Sequence, residues 1–120
     1  MRDLFVISAH SNKITTMDKV ALLVKLQTKK GKEAEVADFL CNALPKVENE
    51  RTTSTWYALR LNQSTYIIFD TFPDENGRQA HLAGNIAKAL EEKSSELFSR
   101  PPAIEKLDII AVKMPEVVQY

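Results

Sequence analysis

The chain has 120 residues, of which 44% are hydrophobic and 27% charged, a length and composition typical of one globular domain. Sixteen Lys and Arg balance sixteen Asp and Glu, so the sequence lacks the excess positive charge that attracts nucleic acids or anionic membranes. The single cysteine excludes an intrachain disulfide, and the apolar runs of about four residues fall far short of the roughly 20 that span a bilayer. We therefore expect a cytoplasmic protein that binds neither nucleic acid nor membrane.

The first 17 residues predict an N-terminal arm that precedes the domain. An apolar stretch at residues 4–7 is followed by polar residues 11–16, and Met17 stands just before the first strand. That strand, residues 19–27, is aliphatic and β-branched with no helical period. We expect the domain to comprise residues 18–120, with Met17 as its natural start.

A helix follows the turn at residues 28–31, because apolar residues then recur at the period of one helical face. Glu33 and Glu35 lie in its first turn, where they suit the positive end of the helix dipole. Pro45 removes the hydrogen bond to the carbonyl of Cys41, which predicts a kink or an end of the helix near Asn42. The apolar face comprises Val36, Phe39, Leu40, Ala43, Leu44 and Val47.

The remaining segments complete a recognisable order of elements. Residues 52–61 and 64–72 are rich in Thr and aromatic residues and are separated only by Asn62 and Gln63, which predicts a tight antiparallel hairpin. A second helical region runs from about residue 73 to 98 with a break at Gly84 and Asn85, and residues 104–113 read as a fourth strand. This βαββαβ order predicts a ferredoxin-like α+β fold, a four-stranded antiparallel sheet with two helices on one face.

Both faces of the predicted sheet are apolar. In the first strand Leu22 and Val24 point away from Leu23, and in the third strand Ile68 points away from Ile67. The helices cover one face only, and an exposed apolar face of several hundred Å² is rare on a soluble monomer. We therefore expect a homodimer in which two sheets meet.

Three short motifs occur in order within this predicted fold. Residues 24–33, Val-Lys-Leu-Gln-Thr-Lys-Lys-Gly-Lys-Glu, run from the first strand into a glycine-containing turn. Asp70 and Phe72 lie two positions apart in the third strand, and Ala80-His81-Leu82 stands early in the second helical region. Over roughly residues 18–113 the chain resembles the antibiotic biosynthesis monooxygenase superfamily of dimeric α/β barrels, many of whose members have Trp where Phe72 stands.

The resemblance implies the dimeric barrel and, as a function, cofactor-independent oxidation of a small phenolic, quinol or polyketide-like compound with O2. Fold does not fix function, so whether the protein is an enzyme stays open, and the alternative is a dimeric non-enzymatic module that binds a small ligand or has a stress or regulatory role. Haem degradation, also found in the superfamily, is less favoured because those members carry an Asn on the first strand and residues 22–27 contain none. An enclosed cavity that His81 or Trp56 points into would favour chemistry.

His81 is the candidate catalytic residue. A neutral imidazole can take the proton of a phenol and leave an electron-rich anion that reacts directly with O2, with no metal or other cofactor. If the second helical region turns at Gly84 and Asn85 so that the ring faces a cavity, His81→Ala should lower turnover by about 10²- to 10⁴-fold and leave the melting temperature nearly unchanged. The alternative is a surface histidine, since a continuous helix would place His81 about 140° from Ile86, on the side opposite the core.

Side chains of the paired strands are candidate ligand contacts. The aromatic residues Trp56, Tyr66 and Phe72 can wall a pocket for a flat ring, and Arg60 can hold an anionic oxygen. Aromatic residues on paired strands also pack in cores and dimer interfaces, which is the favoured alternative.

Asp70 stands in the middle of an apolar strand, where a buried carboxylate needs a partner. It can orient His81 or a substrate hydroxyl. The favoured alternative is an ion pair with Arg60 or Lys25 across the sheet or the dimer.

Overall fold

A computed structural model describes residues 5–7 and 14–115 of the chain. The helices are α1 (Glu33–Glu48), α2 (Glu75–Leu82) and α3 (Asn85–Leu97). The strands are β1 (Phe5–Ile7), β2 (Ile14–Thr16), β3 (Val20–Gln27), β4 (Thr55–Asn62), β5 (Thr65–Phe72) and β6 (Ala103–Asp108). Among these elements, no helix has the length and apolar character needed to cross a bilayer.

The four long strands form one sheet in the order β4-β5-β3-β6, and every neighbouring pair is antiparallel. With α1 following β3 and the two helices α2 and α3 following β5, this is the predicted ferredoxin-like α+β fold. The second helical region is divided, as the break at Gly84 predicts: α2 ends at Leu82, and Gly84 is the N-cap of α3.

The first helix runs past its proline. Val36, Leu40, Ala43 and Val47 of the predicted apolar face are buried, and α1 continues to Glu48. An end near Asn42 is therefore wrong. The predicted face was also wrong for Leu44, which is 45% exposed. Pro45 lies in the last turn, where the loss of one backbone hydrogen bond is small beside the burial of the whole face.

The strand limits differ from the sequence prediction by one residue or more. β4 begins at Thr55, three residues later than predicted, and continues to Asn62, past a register irregularity between Arg60 and Asn62, so the hairpin turns at Gln63 and Ser64. Its Oδ1 accepts a hydrogen bond from the Ser64 amide at 3.0 Å, a side-chain turn typical of asparagine. β6 ends at Asp108, five residues before the predicted limit, and Ile110 beyond it is 97% exposed.

The sheet has one covered and one open apolar face. Leu22, Leu26, Ile68 and Phe72 lie on the covered face and are at most 2% exposed. On the open face Leu23, Ile67 and Phe69 are half-buried, and Tyr57 and Leu59 are exposed. The prediction of two apolar faces, one of them uncovered, is confirmed.

Parts of the predicted N-terminal arm pair with each other. β1 and β2 form an antiparallel two-stranded sheet that is separate from the four-stranded one. The rest of the arm before Ile14, residues 1–4 and 8–13, lies outside the described residues. That the domain folds without the arm stays a prediction.

Candidate functional site

His81, near the end of α2, lies between two carboxylates. Its Nδ1 is 2.6 Å from Oε1 of Glu50, and its Nε2 is 2.8 Å from Oδ2 of Asp70. The imidazole is 8% exposed, so the surface position considered above is wrong. The reason is the break before Gly84: α2 and α3 are separate helices, so the angle between His81 and Ile86 does not follow from one continuous helix.

Asp70 reaches His81 because β5 directs it into the covered face of the sheet, where it is 0% exposed. α2 starts directly beyond β5. Its N-cap, Asp74, accepts a hydrogen bond from the Gly77 amide at 2.9 Å, which fixes the helix start. One further turn of α2 brings His81 back over β5.

Glu50 belongs to the turn after α1 and was not singled out from the sequence. Its amide donates to the carbonyl of Val47 at 2.8 Å, and the hydroxyl of Thr53 donates to the same Oε1 that contacts His81, also at 2.8 Å. A Cβ on Gly77 would lie 2.8 Å from the carbonyl oxygen of Thr52. α2 therefore packs directly on this turn, and Gly77 permits the close approach.

The charge of the imidazole follows from these contacts. A carboxylate stands against each ring nitrogen, so a neutral ring would direct one lone pair at a carboxylate oxygen. Burial by itself would lower the pKa of His81, but the hydrogen bonds and charges of Asp70 and Glu50 outweigh it and raise the pKa above its ordinary value. The two carboxylates therefore favour the imidazolium form of His81.

Three buried polar atoms near this group lack hydrogen-bond partners among the described residues. Two are the carboxylate oxygens of Asp70, of which Oδ2 contacts His81 only as an ion pair at 2.8 Å. The third is Nε1 of Trp56, a residue that stands directly opposite Asp70 in the β4–β5 pairing. Buried polar groups normally have partners, so these atoms leave hydrogen-bonding capacity unused in the core around Asp70.

A cavity of about 300 Å³ lies between the sheet and α3, with His81 in its wall. Its other walls are mostly apolar, with Leu22, Val24 and Ile68 on the sheet and Ile86 and Leu90 on α3, and α3 also contributes the polar Glu91 and Ser94. Asp70 stands just behind this wall, since it pairs with Leu22 across the strands and follows Ile68 on the same face of β5. A small, mostly apolar pocket beside a perturbed titratable group is the usual form of a ligand site.

A second, more polar cleft lies on the other side of His81. It is lined by Lys46, Glu50 and Asn85 among others. His81 and Ile86 line both spaces and thus separate them. The side chain of Glu50 is 22% exposed, against 1% for Asp70, so Glu50 is the member of the group that faces water.

The other predicted contact residues lie elsewhere. Arg60 donates to the hydroxyl of Tyr66 at 2.7 Å and stands over its ring, and that hydroxyl donates to the carbonyl of Glu33 at 3.2 Å. Neither residue lines the cavity, and the half-buried Trp56 packs against the core beside it. Phe72 is 0% exposed and lies against His81, with 5.4 Å between ring centroids.

The favoured partners of Asp70 were wrong. The guanidinium of Arg60 is engaged by Tyr66, at the far end of the same face. Lys25 is exposed and lies on the open face of the sheet, whereas Asp70 lies on the covered one. The partner is His81, the other option named from the sequence.

Comparison with known proteins adds a family to this geometry. No family model and no curated protein matches the sequence. Among solved structures, the NE2512 protein of unknown function from Nitrosomonas europaea is 50% identical, with a TM-score of 0.80 over 82% of this chain and 96% of that one. The chain belongs to the family of the NE2512 protein.

More distant structures identify the fold of this NE2512 family. One is a "putative antibiotic biosynthesis monooxygenase" from Caulobacter crescentus, 18% identical, with a TM-score of 0.68 over 78% of this chain and 92% of that one. Another, with the same description, comes from Nitrosomonas europaea, 8% identical, with a TM-score of 0.69 over 77% and 90% of the two chains. The predicted fold of the antibiotic biosynthesis monooxygenase superfamily is confirmed.

Proposed function

We propose that this protein binds a small, mostly apolar aromatic compound in the cavity between the sheet and α3 and oxidises it with O2 without a cofactor. The observation that carries this proposal is the buried ion group formed by Glu50, His81 and Asp70 at the wall of an apolar cavity. A charged group in such a place is costly to a fold and is characteristic of functional sites.

The chemistry differs in one respect from that of a free histidine base. Both nitrogens of His81 face carboxylates, so the proton of a substrate hydroxyl enters the group as a whole, with Asp70 offering the unpartnered oxygen. The O–H bond breaks and its electron pair stays on the substrate oxygen. An anthrone gives the equivalent anion when its enol tautomer loses the O–H proton or its CH2 loses a proton. That anion supplies four electrons to O2: the carbon becomes C=O with one oxygen atom, and the other oxygen leaves as water after the group returns the proton.

O2 consumption with a panel of anthrones, quinols and catechols tests this proposal. A loss of the general base typically costs about 10²- to 10⁴-fold in rate, so Asp70→Asn and His81→Gln should each lower turnover by that order. Glu92→Gln, an exposed change on α3, serves as control. Full turnover in both site variants would contradict the assigned roles, and turnover that disappears with a metal chelator would contradict the cofactor-free reaction.

A non-enzymatic ligand-binding module is the second candidate. It is favoured by the occupation of both imidazole nitrogens, which leaves no free lone pair of His81 for a substrate proton. This function predicts saturable binding of the same panel with no O2 consumption, and it is contradicted by turnover that depends on Asp70.

We also propose that two copies pair through the open face of the sheet. The exposed Tyr57 and Leu59 and the half-buried Leu23, Ile67 and Phe69 form a continuous apolar surface there. A second copy would cover that surface with its own, as symmetric dimers do.

A further inference from the structure

We infer that the cavity takes a neutral molecule that donates a hydrogen bond and discriminates against anionic compounds of the same shape. This inference rests on the proposed binding of a small molecule in the cavity and narrows its chemical class. It concerns the charge and hydrogen-bonding character of the ligand, which the apolar walls alone do not determine.

The first argument is the charge of the lining. No Lys or Arg lines the cavity in the described chain, and Glu91 on α3 adds a carboxylate at its rim. Pro101 and Pro102, also in the lining, have no backbone N–H to donate. An anionic ligand that enters the cavity would therefore lose its hydration, and it would gain neither a Lys or Arg partner nor a hydrogen bond from the backbone N–H of residues 101 and 102.

The second argument is the balance of the buried group. One imidazolium stands between two carboxylates, so Glu50, His81 and Asp70 together carry a net charge of about −1 with His81 protonated. Both ring nitrogens of His81 face carboxylates of this group. Lys46 lines the outer cleft, beyond the partition formed by His81 and Ile86.

The third argument is the surplus of acceptors. Glu91 and Ser94 place a carboxylate and a hydroxyl at the cavity wall, and Oδ1 of Asp70, which lacks a partner among the described residues, lies buried behind that wall. A ligand hydroxyl satisfies such acceptors, whereas a carboxylate opposes them. When a neutral hydroxyl gives its proton to the group, the negative charge moves from the group to the ligand oxygen, so the two never repel each other as full anions.

Three probes of nearly equal shape test the inference on the full chain at pH 7: 2-naphthol, 2-methoxynaphthalene and 2-naphthoate. Ile68, Ile86 and Ile104 line the cavity, so their methyl signals in a labelled sample report binding at this place. We expect 2-naphthol to bind about tenfold or more tightly than 2-methoxynaphthalene, which cannot donate. 2-Naphthoate should bind at least tenfold more weakly than 2-naphthol.

Equal affinities of 2-naphthoate and 2-naphthol would overturn the inference and leave the proposed binding site intact. Equal affinities of the naphthol and its methyl ether would overturn the requirement for a donor. If no probe shifts the isoleucine methyls, the cavity is not a ligand site, and the proposed function fails together with the inference.

A pair of variants tests the role of local charge. Glu91→Gln should raise the affinity for 2-naphthoate about two- to fivefold, the size of a surface charge interaction. Glu92→Gln makes the same change in net charge next to it but outside the lining, and we expect no effect. An equal rise in both variants would show that overall charge, and not the cavity, repels the anion.

Discussion

Replacing His81 with alanine should destabilise the fold, although the sequence alone treats this change as neutral for stability. Asp70 is 0% exposed and has His81 as its ion-pair partner. The substitution leaves that carboxylate buried without a cation. Glu50 is the smaller concern, because its side chain is 22% exposed and water can replace the lost contact.

The magnitude follows from the burial of the pair. Removing one partner of a buried ion pair costs about 3 to 5 kcal/mol in free energy of unfolding. In a domain of this size, we expect a fall of about 10 °C or more in melting temperature. Both values can be measured by urea and thermal unfolding at pH 7.

A second substitution separates the stranded charge from simple loss of packing. Asp70→Asn should destabilise the wild type, because it weakens the contact with His81. In the His81→Ala background the same change should stabilise, because it removes the uncompensated carboxylate. A His81→Ala variant that loses less than about 1 kcal/mol, or an Asp70→Asn effect of the same sign in both backgrounds, would refute this reasoning.

The contribution of His81 to the stability of the fold should decrease as pH rises. Since the pKa of His81 is raised in the folded state, its contribution to stability is fully present below the pKa of an unfolded histidine. The contribution is lost as pH rises through the folded pKa. The difference in stability between the wild type and His81→Ala should therefore shrink with rising pH, and a constant difference would contradict the ion pair.

Three further predictions concern the fold. Gly77→Ala should destabilise the protein by about 1 kcal/mol in urea unfolding, because the clash of a Cβ 2.8 Å from the carbonyl oxygen of Thr52 outweighs the gain in helix propensity. Asn76→Ala, at the neighbouring exposed position, is the control. Light scattering should give a mass of about twice 13.6 kDa, and a wild-type monomer at micromolar concentration would refute the dimer. Leu59→Lys, on the open face of the sheet, should yield monomers. Leu44→Lys should not, because Leu44 is equally 45% exposed but lies on α1. A chain starting at Met17 should fold and dimerise, and loss of the dimer would show that the arm belongs to the fold.

The fold was predictable because its signals are local. The helical period of α1, the aromatic-rich hairpin and the helix break at Gly84 each lie within a short stretch of sequence. The errors are local too. A proline disrupts a helix less in its last turn than in its middle, and the sequence does not show that α1 ends only three residues after Pro45. The predicted length of β6 was wrong because residues 109–113 keep an apolar pattern but do not extend the strand.

The site was only half predictable because it joins distant segments. The sequence indicates His81 and Asp70 as candidates by their residue types and positions, but their contact depends on the helix break that brings α2 back over β5. Glu50 lies 31 positions before His81 in a turn with no pattern of its own. A Glu followed by Thr three positions later, directly after a helix, is the local feature that could have drawn attention to it.

The composition of this group argues that it is kept for function and not for stability. Apolar side chains of similar volume commonly stabilise a protein as well as a buried ion pair does, or better. The covered face of β5 otherwise consists of Tyr66, Ile68 and Phe72, and Asp70 interrupts it at full burial. The fold alone would be served by an apolar residue there, with another in place of His81. A charged group that joins an apolar cavity to a solvent-facing carboxylate instead suits the proton transfer that we propose from a bound molecule.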